Sequence, residues 1–413
     1  MMRRLLQAIG MAAAGAFTAS AQPVTTNGMP ADLERGTYAN YFFCQNPAYA
    51  IFSHFDDASG SDSRLAQLLI GWNTSNAVPV NQPLSRYLIR RCRVTITLNN
   101  GNQVAHDPSH DDYRTNFDTN HVAWLPDSDI GRPIELFGVG YRHGYTSATF
   151  SQCSTVGNGA PGTNNVFGVT WTTNGVPVDV GNDVGKTLPA FPAFESWPFA
   201  VAQTTNCAPG ELMPANSRLT FELNLDDPFV VEYLQRGLQE GRPRFMVSSL
   251  HQVSGQFGSE PYPSFTTRFN QAVLNPPTTL DLDVMVVRDI DSDSDGLPDD
   301  WEQFYFTNLV QVAEVDTDGD GASNQQELLA GTNPALASSV LRIVSKTSGD
   351  GRPVLHWPNL PSRTFTVQRG GNPGQWQSIT NPPLIYQSPG IAEWTDGDSS
   401  GTNRFYRVRV QPE

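Results

Sequence analysis

The chain is sparing with charge: only 16% of its 413 residues are Asp, Glu, Lys or Arg. Its basic residues are scattered and its pI is low, which argues against nucleic acid as a partner. Past the first 21 residues no run approaches 18 apolar residues, so no membrane-spanning helix is expected. Cysteine is scarce, with four in the whole chain and no C-x-x-C, which excludes zinc-ribbon and thioredoxin-type chemistry. Catalytic signatures are missing as well. There is no G-x-S-x-G, no H-E-x-x-H and no glycine-rich loop followed by K-[ST]. Sustained helical periodicity gives way to 35 Gly and 31 Pro, a mixture that reads as β-rich and loop-rich.

What the chain does have is acid concentrated in one place. From 281 to 327 there are fourteen Asp/Glu and one base, Arg288, whereas the whole chain carries a net charge of −15. Two twelve-residue stretches lie here. One runs from Asp291 through Asp293, Asp295, Gly296, Leu297 and Asp299 to Glu302. The other runs from Asp316 through Asp318, Asp320, Gly321, Ala322 and Asn324 to Glu327. Both fit D-x-[DN]-x-[DN]-G-x₅-E at every specified position. Calcium takes six to eight oxygens, and carboxylates at positions 1, 3 and 5 converge where a glycine at position 6 permits a sharp turn. Leu297 and Ala322 then offer backbone carbonyls, Asp299 and Asn324 suit position 9 through water, and Glu302 and Glu327 close the shell. Two calcium ions are expected. A bare acidic linker would instead suffer repulsion of about 1 kcal/mol per close pair even in water.

Residues 1–21 read as a secretory signal. Arg3 and Arg4 form the positive start, Leu5 to Phe17 the apolar stretch, and Ala19, Ser20 and Ala21 the cleavage site. The mature chain is expected to be secreted or at the cell surface. Export and an even count favour disulfides among Cys44, Cys92, Cys153 and Cys207, with three pairings open.

The body, 22–287, is a succession of β signals. Val94, Ile96 and Leu98 alternate with Arg93, Thr95 and Thr97. Residues 134–139, 166–171, 219–223, 245–250 and 280–287 read as further strands. One helix is expected, capped by Asp226 or Asp227, opened by Pro228, carrying Val230, Tyr233, Leu234 and Leu238 on one face, and stopped by Gly241. The arrangement Leu219, Phe221, Leu223, the helix Val230 to Gly237, Gly241, residues 246–250, residues 257–260 and residues 262–265 resembles the closing part of the disaggregatase-related (DNRLRE-type) jelly rolls. Leu68 to Gly71 and Tyr87 to Val94 sit near that family's early strands, while long insertions between 100 and 215 depart from it. The resemblance implies an exposed jelly roll often associated with polysaccharide.

The paired loops at 288–335, followed by Gly331, Thr332, Asn333 and Pro334, look like thrombospondin type 3 and dockerin-like repeats. They depart from the EF-hand proper at position 8, where Pro298 and Ser323 stand, and in being entered from a strand. Trp301, Phe304 and Tyr305 are spaced to anchor this segment to its neighbours. Residues 338–413, with strands expected at 341–344, 354–357, 364–368, 376–379, 391–394 and 405–410, resemble a fibronectin type III-like sandwich. The fold expected is mainly β: a jelly-roll-like sandwich, a short calcium-loop and helix segment, and a small C-terminal β-sandwich.

Other chemistry-bearing residues read as structural. His106 and His110 with Asp107, Asp111 and Asp112 offer a metal or an acid/base site as one reading, but a solvated loop is the better one, since Pro108 breaks any helix that would align the histidines. His54 with Asp56 and Asp57 reads likewise, and Asp127 through Asp129 to Gly131, which could be a minor calcium ligand set in a jelly-roll loop, reads rather as a plain turn. The function expected is binding or display, with an extracellular glycan as favoured ligand and Tyr113, Trp124, Tyr141, Tyr145 and Trp197 as candidate stacking platforms. The alternatives are a polysaccharide hydrolase or lyase with its site in the 100–215 insertions, and an adhesive component binding a surface protein.

Overall fold

A computed structural model describes residues 23–38, 44–54, 63–117, 119–120, 122, 124–157, 163–171, 177–182, 197–253, 260–272, 276–372, 374–379, 385–388, 391–397 and 404–412. The signal expected at 1–21, Asp56, Asp57 and the 257–259 part of the jelly-roll resemblance lie outside the described residues.

The chain is mainly β. In the body, a first sheet orders the strands Val24–Pro30, Thr279–Val286, Tyr87–Thr97 and Arg218–Glu222, every neighbour antiparallel. A second sheet orders Pro177–Asp179, Val166–Trp171, Ile134–Tyr141, Arg244–Ser249, Leu68–Gly71 and Leu33–Gly36. Strand alternation fixes what lies between them. Val94, Ile96, Phe221, Leu280 and Leu282 of the first sheet share one core with Leu68, Ile70, Leu136, Phe245 and Val247 of the second. Full burial of each such side chain contributes about 1.5–3 kcal/mol.

The two sheets differ on their outer faces. The first exposes polar groups, with Arg218 donating to the Thr97 hydroxyl at 2.6 Å. The second is covered there too, by a second cluster that includes Leu69, Phe137, Phe150, Val156, Val180 and Met246. This is why Arg244–Ser249 and Leu68–Gly71 are buried at every position: a sheet covered on both faces needs apolar runs instead of alternation. The insertions between 100 and 215 supply much of that cover. Cys44 and Cys153, 109 residues apart, are bridged and tie it to the N-terminal strands, where Gln152 Nε2 donates to Glu34 O at 2.5 Å.

The expectation of four bridged cysteines is corrected. Cys92 and Cys207 are unpaired. Cys92 sits on the inward face of Tyr87–Thr97, fully buried among apolar side chains, and burial pushes its thiol far above the ordinary range. Cys207 lies in the loop before Arg218–Glu222, where its Sγ approaches the Glu211 carbonyl.

Helix α1, Pro228–Gln239, forms as its sequence dictates. The Asp227 carboxylate accepts from Phe229 N at 2.8 Å, and Val230, Leu234 and Leu238 are buried. Gly241 takes a positive φ of 68° just beyond the helix, where a Cβ would meet Val80 at 2.9 Å. Tyr233 has a task its apolar spacing did not show. Its hydroxyl donates to Arg244 O and accepts from Val139 N, locking the helix onto the second sheet.

Two short helices follow the body, α2 at Asp299–Phe306 and α3 at Asn324–Ala330. The C-terminal unit pairs a sheet of Val344–Thr347, Pro353–Pro358, Ile391–Thr395 and Ile385–Ser388 with one of Gln377–Ser378, Arg363–Gly370 and Phe405–Pro412. Leu355, Trp357, Val367, Ala392 and Trp394 form its core. Its first strand begins at Val344, not Leu341; Leu341 packs on that core from outside the strand. Among the described residues no helix is long and apolar enough to cross a membrane.

Candidate metal centre

The first loop leaves the strand Thr279–Val286 and enters α2, so no helix precedes it. Its turn is closed by the chain's own acids. Asp291 accepts from Asp295 N at 3.2 Å and Gly296 N at 2.9 Å, and Asp295 Oδ1 accepts from Leu297 N at 2.8 Å. Gly296 adopts φ +96°, which an L side chain would resist. The second loop repeats this twenty-five positions on. Asp316 accepts from Gly319 N and Gly321 N, Asp320 accepts from Ala322 N at 2.8 Å, and Gly321 has φ +101°. The strand-like contact across the mouth repeats too: Asp299 N donates to Ile290 O at 2.7 Å and Asn324 N to Val315 O at 2.8 Å.

These turns bring together the side chains the spacing singled out. One carboxylate oxygen each from Asp291, Asp293 and Asp295 lie within 4.8 Å of one another, and the same holds for Asp316, Asp318 and Asp320. Glu302 and Glu327 are fully buried. Each uses one oxygen within the protein: Glu302 Oε1 accepts from Gln311 N at 3.1 Å and Glu327 Oε1 from the Thr332 hydroxyl at 3.1 Å. The other oxygens, Glu302 Oε2 and Glu327 Oε2, are buried without a partner, as are Asp295 Oδ2, Asp318 Oδ2 and Asp320 Oδ2. Buried acceptors are almost always satisfied, so five orphaned carboxylate oxygens in two acidic pockets fit a hard cation. Burial first, then repulsion from the neighbouring aspartates, pushes the carboxyls of Glu302 and Glu327 up to about 7.

Some positions act differently from their expected roles. Leu297 is fully buried beside Val287, Trp301 and Ala313, so its side chain anchors the loop while its carbonyl remains the candidate ligand. Asp299 turns back on position 2, accepting from Ser292 N at 2.7 Å and the Ser292 hydroxyl at 2.6 Å. Asn324 Oδ1 accepts from the Thr317 hydroxyl in the same way, at 2.9 Å. Asp300, which the loop pattern left unassigned, is fully buried and takes up Arg288 through two side-chain nitrogens at 2.8 Å. The one base of the acidic segment therefore neutralises a structural aspartate, leaving both triads uncompensated.

The segment is held on both sides. Arg90 of the first sheet stacks over Phe304 at 4.4 Å and donates to Phe304 O. Arg363 of the C-terminal unit donates to Leu328 O and Leu329 O at the end of α3. Trp301, Phe304 and Tyr305 thus serve as anchors.

Residues 316–337 match the family model of the bacterial TSP3 repeat. Such repeats are of calcium-binding type, which agrees with the oxygen-only donor set of the second loop. The first loop lies outside the match, yet it shares with the second an aspartate triad, a positive-φ glycine and a buried closing glutamate. No curated protein and no solved structure matches the chain.

The reading of 106–112 as a solvated loop is corrected. His106, Asp107 and Asp111 are buried. Pro108 does prevent a helix, but the loop folds inward and borrows partners from afar. His110 Nδ1 lies 2.7 Å from Glu135 Oε1, and Glu135, fully buried, pairs through its other oxygen with Arg64. Asp111 meets Arg132 at 2.9 Å. These contacts span 20–70 residues of sequence, so no local pattern announces them. Of the candidate platforms, Tyr113 is buried with Phe117 and Leu250, Trp124 packs on that cluster, and Tyr141 and Tyr145 pack on the outer cover of the second sheet. Trp197 is half exposed and its ring lies 4.6 Å from that of His110.

Proposed function

We propose that this chain is an exported, calcium-stabilised, multidomain β protein that acts by binding or display, with glycan as its ligand class. In this reading residues 22–287 form the binding unit, 288–335 the calcium joint and 338–413 a β-sandwich spacer. Two calcium ions are held, one by Asp291, Asp293, Asp295 and Glu302 with the Leu297 carbonyl, the other by Asp316, Asp318, Asp320 and Glu327 with the Ala322 carbonyl. The observation that carries the calcium reading is the pair of fully buried glutamates, each with an orphaned oxygen beside an aspartate triad. The TSP3 match supports an extracellular-type setting. The glycan reading rests on Trp197: an exposed indole beside an imidazole that Glu135 holds in place offers a sugar ring a flat, pre-ordered face.

Calorimetry after chelation tests the metal. Calcium should bind at both loops in the 10⁻⁴–10⁻³ M range of extracellular modules, and Asp291→Ala with Asp316→Ala should remove both loop heats. A glycan array run beside a reducing-end assay tests the ligand. Binding without new ends, lost in Trp197→Ala with the fold intact, supports the reading. Release of oligosaccharide would make the protein an enzyme instead.

A further inference from the structure

A third acidic centre lies in the body, far from the loops in sequence. Asp107, Asp111 and Asp129 each place a carboxylate oxygen within 4.8 Å of the other two. Asp107 is 4% exposed and Asp111 6%, while Asp129 opens to solvent. Asp127 adjoins them through Arg132, which contacts both Asp111 and Asp127. Two of these four carboxylates, Asp111 and Asp127, share that one guanidinium.

Internal hydrogen bonds do not satisfy this group. Asp107 Oδ1 accepts from Ser109 N at 3.0 Å and the Ser109 hydroxyl at 2.8 Å. The same hydroxyl lies 2.6 Å from Asp129 Oδ2, and its single proton serves only one of the two acids. The decisive atom is Asp107 Oδ2, which is buried and has no hydrogen-bond partner. The adjoining His106, also 4% exposed, has neither ring nitrogen paired. Close approach is built in: Gly131 has φ +126°, and a Cβ there would stand 2.9 Å from Asp107 Cβ.

A buried, ionised and unpaired carboxylate oxygen is costly, and a dication is the ordinary remedy. Oxygen donors without thiolate favour a hard cation. We propose that Asp107, Asp111 and Asp129 bind a divalent hard cation of the calcium type, entering past Asp129, at a site separate from the two acidic loops. The electrostatics agree: burial first, then repulsion from Asp107 and Asp127, pushes the Asp111 carboxyl up to about 7 in spite of Arg132. Asp107 is raised by burial, with Asp129 and Asp127 adding to it.

The test is calcium calorimetry on the full chain at mildly alkaline pH. Three ions are expected. Asp291→Ala with Asp316→Ala should leave one, and that remaining heat should weaken at least tenfold in Asp129→Asn. Asp129 is exposed, so this variant spares the fold, which near-UV circular dichroism checks. Asp107→Asn should abolish the same heat. No calcium heat in the loop-deficient protein, or a heat unmoved by Asp129→Asn, overturns the site. Either result leaves the two-loop reading intact, because the loop heats are scored separately by the Asp291 and Asp316 substitutions.

Discussion

Glu302→Gln should change sign with calcium. The side chain is fully buried, one oxygen is used by Gln311 N and the other has no partner. Without metal, a buried acceptor left unsatisfied costs about 1–3 kcal/mol, and more when charged. The amide removes that charge at nearly constant shape, so the metal-free segment should gain about 1–3 kcal/mol. With calcium, the amide loses the charged closing ligand, and the linkage shrinks. At free calcium tenfold above Kd, each intact site contributes about 1.4 kcal/mol to the state that binds it. The variant should forfeit most of one site. The pH dependence follows from the carboxyl pushed up to about 7 from 4.5. Above about 7 the buried carboxylate is charged in the folded segment and destabilises it. As pH falls from about 7 towards 4.5, the folded form takes up a proton that the unfolded form does not, and the metal-free segment gains stability. Calcium competes with that proton, so its affinity should fall over the same window. Limited proteolysis within 288–335, with and without chelator across this range, reads both effects. Equal protection of wild type and Glu302→Gln in chelator, or calcium affinity unchanged between pH 8 and pH 5, would refute the reasoning.

Arg288→Ala should leave the buried Asp300 without its guanidinium while the residue-288 backbone N–H still donates to it, costing about 1–3 kcal/mol; wild-type proteolytic resistance at 288–335 would contradict the pair. Non-reducing peptide maps should show the Cys44–Cys153 bridge, with Cys207 alkylated in native protein and Cys92 only after unfolding. In the chain-entropy account, opening a bridge of this span lowers stability by about 4–5 kcal/mol, measured by denaturant titration. His251 is buried, and burial first, with Arg132 nearby, holds its imidazole down at about 3. As pH falls below 6.5 the unfolded chain takes up a proton the folded one refuses, so stability of the body should decline towards about 3. His251→Asn should flatten that slope, and an unchanged slope would show that other groups set it.

Local chemistry made much of the fold legible. Strands expected at 134–139, 166–171, 219–223, 245–250 and 280–287 form at 134–141, 166–171, 218–222, 244–249 and 279–286, because alternation or a compact β-branched run is a property of neighbouring residues. So was α1, whose cap, first-turn proline and terminal glycine are contiguous. Short pieces such as Leu33–Gly36 and Pro177–Asp179 carry too few residues for a pattern, and exist because a longer strand offers them an edge.

The two candidate metal loops were the most sequence-determined part of the molecule. A twelve-residue loop supplies its ligands from within itself, so spacing fixes geometry: acids at 1, 3 and 5, glycine at 6, glutamate at 12. Only the tertiary structure decided the rest. That Cys44 meets Cys153 while Cys92 enters the core, and that the 100–215 insertions cover a sheet, depends on residues far apart in sequence. The cluster of Asp107, Asp111 and Asp129 is the clearest case. Its members come from two loops that read separately as a solvated stretch and a turn. They meet because the second sheet buries one loop and a glycine lets the other come close, and neither cause is written in the residues that form the cluster.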